Sequence, residues 1–85
     1  MLRAVVPLNG KKLEDMLSML LPANFTTHKA DGVGRTIEIL QKSVGSIREE
    51  DGNAVVTVYE SAQDAKFFVN MFSQMHRIKF KPVVD

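Results

Sequence analysis

The chain has 85 residues, of which 45% are apolar and 25% charged. That is enough for one hydrophobic core and too little for two, so a single domain over residues 1–85 is expected, and the balance excludes a disordered composition. The formal net charge of +1 gives no global pull toward polyanions or acidic surfaces, so electrostatic function must come from local clusters.

There is no cysteine, hence no disulfide framework and no thiolate metal site. No apolar run approaches the roughly 18 residues that cross a bilayer, and MLRAVVPLNGKK is apolar for too few residues to act as a signal peptide. These features predict a cytoplasmic protein without membrane contact.

Leu2 to Leu8 is valine-rich and closes on Asn9 and Gly10, the pattern of a buried strand. Asn9 is suited to cap a helix over about Gly10 to Leu21, in which Leu13, Met16, Leu17, Leu20 and Leu21 form one apolar stripe and which Pro22 ends. Phe25 to His28 and Thr36 to Gln41 flank ADGVG and predict a hairpin. The polar stretch KSVGSIREEDGN, from Lys42 to Asn53, predicts a mobile loop or a ragged hairpin ending on Asp51 and Gly52.

Ala54 to Tyr59 follows as a central strand rich in β-branched residues. Ser61 and Asp64 match the S-x-x-[DE] capping signature and predict a helix whose stripe is Ala65, Phe68, Val69, Phe72 and Met75. Arg77 to Val84 alternates charged and apolar residues and predicts a half-buried last strand. With right-handed crossovers, this order gives an α+β fold: a ferredoxin-like two-layer sandwich with two helices on one face of an antiparallel sheet.

In that arrangement the last strand lies beside the first, and the first beside Ala54 to Tyr59. If Ala4, Val6, Val56, Val58, Ile78 and Phe80 face the helices, the opposite face carries Arg3, Val5, Val55, Thr57, Tyr59, Arg77, Lys79 and Lys81. Cations on a flat sheet neutralise phosphates and a ring stacks on a base, so Arg3, Tyr59, Arg77, Lys79 and Lys81 are candidate contacts for single-stranded nucleic acid. Lys11 and Lys12, in the first turn of a helix where cations oppose the macrodipole, are candidate assistants holding a phosphate with the Asn9 and Gly10 backbone. The plainer account of all these cations is a solvated surface and a charged edge strand that resists self-association.

The segment GNAVVTVYESAQDAKFF resembles the third strand and Ser-capped second helix of the RNA recognition motif, a likeness covering about a quarter of the chain. Where that family sets stacking rings, this chain has Asn53 and Val55 on the later strand and Arg3 and Val5 on the first, so no functional residue carries over.

Gly32 and Gly34 in DGVGR precede a strand pattern instead of a helix, which points to a turn and not to a dinucleotide fingerprint. His28 and His76 form no metal set, Glu49, Glu50 and Asp51 lack the further ligands of a hard-ion cage, and no serine sits in a nucleophile elbow. No metal, no cofactor and no enzymatic activity are therefore expected.

Phe67 and Met71 widen the apolar arc of the second helix, and Met19 falls off the stripe of the first. Two functions follow: binding of single-stranded nucleic acid through a basic open sheet face, or a regulatory protein-interaction module using the sheet or a Met19, Phe67 and Met71 ridge. A homodimer is one form either could take.

Overall fold

A computed structural model describes residues 1–30 and 34–84. Its elements are β1 (Leu2–Pro7), α1 (Leu13–Leu20), β2 (Thr26–Lys29), β3 (Gly34–Ile39), β4 (Lys42–Glu50), β5 (Asn53–Val58), α2 (Ala65–His76) and β6 (Lys81–Pro82). The fold is α+β, with one six-stranded antiparallel sheet in the order β2-β3-β4-β5-β1-β6 and two helices. The first strand does lie between the last and β5, but the sheet is wider than the sandwich expected from the sequence. β2 and β3 add a hairpin beyond β4; the expected turn of that hairpin lies largely in residues 31–33, outside the described residues.

The largest departure from expectation is Lys42 to Asn53, expected as a mobile loop or a ragged hairpin. Residues 42–50 form the longest strand of the sheet, paired on both sides. From Gly45 onward the strand alternates as a sheet requires: Ile47 and Glu49 fall on the helix side with Val56 and Ala54, while Ser46, Arg48 and Glu50 put polar groups on the outer face. A bulge between Ile37 and Glu38 leaves Val44 as the extra residue and lets it enter the core. Gly45 is fixed by close approach: a Cβ there would stand 2.0 Å from the Thr57 carbonyl oxygen.

Both helices begin later than the capping signals imply. Asn9 and Gly10 take positive φ and form a turn, and α1 starts at Leu13. Ser61 lies in a tight turn closed by Ala62 N–H to the Tyr59 carbonyl, and a second turn, closed by Ala65 N–H to the Ala62 carbonyl, follows it. The α2 cap position falls to Asp64, with no side-chain cap bond. α2 then runs on to His76, and Arg77 ends it in the left-handed conformation at φ 54°. The expected last strand thus shrinks to Lys81–Pro82, and residues 77–80 form a connector that lays Ile78 and Phe80 against the core.

The core lies between the sheet and the helices. Ala54, Val56 and Val58 of β5 and Ile47 of β4 pack with Leu13, Leu20, Ala65, Phe68 and Phe72. Aromatic rings run through it: Phe25 meets Phe68 edge-on at 4.9 Å, Phe68 stacks on Phe72 at 5.4 Å, and Phe72 meets Phe80 at 5.7 Å. Met75, expected in the inward stripe, is exposed; His76 takes that flank, its ring 4.4 Å from Phe72 and its Nε2 donating to the Leu20 carbonyl at 2.7 Å.

The β3–β4 turn is strained. Leu40 and Gln41 have φ of 51° and 66°, and Leu40 is 84% exposed. Two positive angles in a two-residue hairpin loop define a type I′ turn, which favours Asn-Gly. The double substitution Leu40→Asn, Gln41→Gly is expected to stabilise the protein by about 1 to 2 kcal/mol. A melting temperature that stays level or falls would show that the wild-type loop carries no such strain.

Candidate nucleic-acid interface

The register fixes what the helix-free face of the sheet displays. Ala4 pairs with Val56 and Val6 with Ala54 on the helix side, which leaves Arg3 opposite Thr57 and Val5 opposite Val55 on the other. Lys81 pairs with Arg3, Ser46 with Thr57, Thr36 with Ser46 and His28 with Thr36. One continuous row therefore crosses all six strands: Lys81, Arg3, Thr57, Ser46, Thr36, His28. At about 4.8 Å per strand, its five steps span about 24 Å. Every side chain in the row is a hydrogen-bonding group. The neighbouring row, Val5, Val55 and Arg48, is apolar toward β1 and basic toward β4.

The charges on this face are not evenly compensated. Arg48 is bound to Glu50, with Nη2 at 2.9 Å and Nε at 3.0 Å from Oε2. His28 Nδ1 contacts Glu38 Oε2. Among the described residues, Arg3 and Lys81 make no ion pair. The β1–β6 border thus holds two adjacent, unpaired positive charges, a local concentration that the near-zero net charge conceals.

Beneath them lie two unsatisfied polar atoms. Thr57 is only 5% exposed although no helix covers it, and both its Oγ1 and Arg3 Nε are shut off from water with no hydrogen-bond partner among the described residues. Such groups are rare in folded proteins and call for an explanation.

The other candidate residues are distributed as follows. Tyr59 stands one residue past β5, exposed, with its N–H bonded to the Val44 carbonyl at 2.9 Å. Arg77 caps α2 and Lys79 lies in the 77–80 connector, so neither belongs to a sheet strand as the alternation had suggested. Lys11 and Lys12 precede α1, away from the Arg3–Lys81 border in sequence and element. Thr57, Ser46, Thr36 and Arg48 are the residues whose part in the face the sequence reading passed over or left unused. The alternation S-V-G-S-I-R in β4 was the available signal.

Lys11 and Lys12 are also not arranged to hold a phosphate on the helix start. The Leu13 N–H donates to Glu49 Oε1 of β4 at 3.0 Å, so the chain's own carboxylate occupies that position and answers the helix dipole. An open hollow of about 460 Å³ lies beside it, lined by Lys12, Lys29, Arg35, Glu14 and Glu49 among others. Its charges largely compensate one another, Arg35 Nη1 lying 3.9 Å from Glu14 Oε1. Among the described residues no three metal-ligating side chains come together. No helix of the described residues is long and apolar enough to cross a membrane.

On the helix layer, Phe67, Met71 and Met75 recur at i, i+4 and i+8 of α2 and are all exposed, with Met19 of α1 at 64% exposure. Phe67 rests its ring on Phe25, centroids 6.0 Å apart. Comparison with known families, curated proteins and solved structures gives no match to this chain.

Because Glu49 caps α1 from a different element, it ties the helix to β4. Glu49→Ala is expected to destabilise the protein by about 1 kcal/mol, and Glu49→Gln by less, since the amide oxygen still accepts the Leu13 N–H. Urea denaturation that ranks the two variants equal to wild type would remove this role.

Proposed function

We propose that the protein is a non-catalytic binding module that holds single-stranded nucleic acid on the open face of its sheet. The observation that carries this reading is Arg3 and Lys81, without an ion pair among the described residues and side by side at the head of a row of hydroxyl groups. Cations supply the affinity for phosphates, hydroxyls supply neutral hydrogen bonds along the backbone, and Tyr59 at the margin offers one ring for a base. The exposed Val5 gives apolar contact in place of a second stacking ring, which predicts weak sequence preference. Lys79 and Arg77 are exposed on the connector before β6 and stand apart from the Arg3 and Lys81 pair. We read β6-β1-β5-β4 and the two helices as a ferredoxin-like unit, widened by the β2–β3 hairpin into a longer track.

Titrating labelled oligo-dT and oligo-U, with a duplex of the same length alongside, tests the proposal. Log K for the single strands is expected to fall with log salt at about 0.7 per phosphate, so two to four contacts give a slope of roughly 1.4 to 2.8. Arg3→Gln with Lys81→Gln should flatten that slope by about 1.4. No binding in dilute salt would end the proposal, and tighter binding to the duplex would redirect it.

A second reading is favoured by a separate observation: four large apolar side chains stand exposed on the helix layer, and α2 carries no carboxylate from Ala65 to His76. Methionine and aromatic enrichment with few charges is typical of protein-binding surfaces, a partner protein or a second copy. Phe67→Asp is expected to abolish any self-association or partner capture carried by that ridge. A wild-type monomer whose behaviour this substitution leaves unaltered would dispose of it.

A further inference from the structure

We propose that Arg3, Thr57 and Lys81 form a phosphate-gripping subsite in which the free protein keeps two donors unsatisfied and the ligand satisfies both. The inference deepens the nucleic-acid reading and rests on it for the identity of the polymer. Thr57 is 95% buried by its own 5% exposure, yet it faces away from the helices, in the middle of a bare sheet. Side chains of that face exclude water from it: Arg3 and Ser46 are directly opposite, Val5 and Val55 lie in the next row, and Tyr59 follows two residues on along the chain. Residues paired across strands hold their Cβ atoms about 4.5–5.5 Å apart, so Arg3 can cover Thr57 and be covered in turn.

A buried hydroxyl and a buried guanidinium nitrogen without partners destabilise the free protein, and a sheet with no helix over it has no structural need for either. The chemistry of the three groups selects the ligand. Arg3 Nε can only donate, Lys81 can only donate, and the Thr57 hydroxyl is free to donate. Glu50 and Glu38, on this face of β4 and β3, are engaged with Arg48 and His28, and among the described residues no carboxylate pairs with Arg3 or Lys81. Three donors, two of them cationic, fit an anion with more than one acceptor oxygen. The unesterified oxygens of a phosphodiester meet that description. Arg3 swings from Thr57 onto one oxygen, a charge-assisted bond, and the uncovered hydroxyl reaches the other, while Lys81 adds a point charge. No covalent step is involved.

The strain predicts opposite effects of one substitution on stability and on binding. Thr57→Val keeps the shape of the side chain and deletes the orphan hydroxyl. It is expected to raise the melting temperature by a few degrees while weakening oligo-dT binding about fivefold, with the salt slope unaltered because no charge is lost. Arg3→Lys keeps the charge but not the planar fork. It should likewise retain the slope and lose about tenfold in affinity.

Inorganic phosphate is the second probe, read by the Arg3 Nε–Hε NMR resonance of the wild-type protein. A shift of that resonance, reduced in Thr57→Val, supports the subsite even if wild type binds no oligonucleotide, in which case the polymer reading alone falls. Oligonucleotide binding that neither variant weakens overturns the subsite and leaves the open-face reading standing. Tighter binding of an acidic peptide than of oligo-dT at equal charge overturns the phosphate assignment.

Discussion

The register between β1 and β5 is the constraint on which the remaining structure depends. Ala4 against Val56 and Val6 against Ala54 send small and branched apolar groups to the helices, and the same pairing sends Arg3 and Thr57 to the opposite side. Because side chains alternate with a period of two, a slip of one residue would drive the Arg3 guanidinium beneath Phe68 and Phe72 and expose the valines. Burying an unpaired charge costs several kcal/mol, so that alternative does not compete. β4 is held to β5 just as tightly, since at Gly45 no side chain fits between its backbone and the Thr57 carbonyl. The core and the candidate interface are thus two sides of one pairing.

The aromatic chain from Phe25 through Phe68 and Phe72 to Phe80 determines how the carboxy-terminal residues are used. Phe80 must reach Phe72, and the left-handed Arg77 turns the chain out of α2 so that it can. A regular strand starting at Arg77 would leave no room for this return. The cations of this segment are consequently separated: Lys81 enters the sheet beside Arg3, while Arg77 and Lys79 remain on the connector. The positive border of the open face owes its size to the packing of a phenylalanine on the other side of the sheet.

Two polar arrangements in this small protein have opposite character. At the start of α1, a site that could attract an anion is closed by Glu49 from β4, which adds stability and leaves the lysines before it in solvent. On the open face, Arg3 and Thr57 lie in register with no such internal partner. A protein of this size has little stability to spare, so an unsatisfied pair in the middle of its central strands is informative about where a ligand would gain most. The exposed Phe67, Met71 and Met75 line is a lesser signal, because apolar side chains on a small protein's surface are common.

The sequence by itself determined the class of fold, the two helices, the central strand and which of its residues meet the helices, because helical and strand periodicities are local and the β1 and β5 patterns are nearly all apolar on the buried side. It did not reveal β4, whose outward positions are polar and whose single glycine is explained only by the carbonyl of Thr57 in another strand. Nor did it give the true helix starts: Asn9 and Ser61 satisfy local capping rules, yet Glu49, 36 residues from Leu13, supplies the cap of α1. The tertiary structure alone decided that Lys81 joins Arg3 in the sheet while Arg77 and Lys79 do not, and that Thr57 is buried without a partner among the described residues. Each of these depends on contacts between residues far apart in the chain, and no periodicity records such contacts.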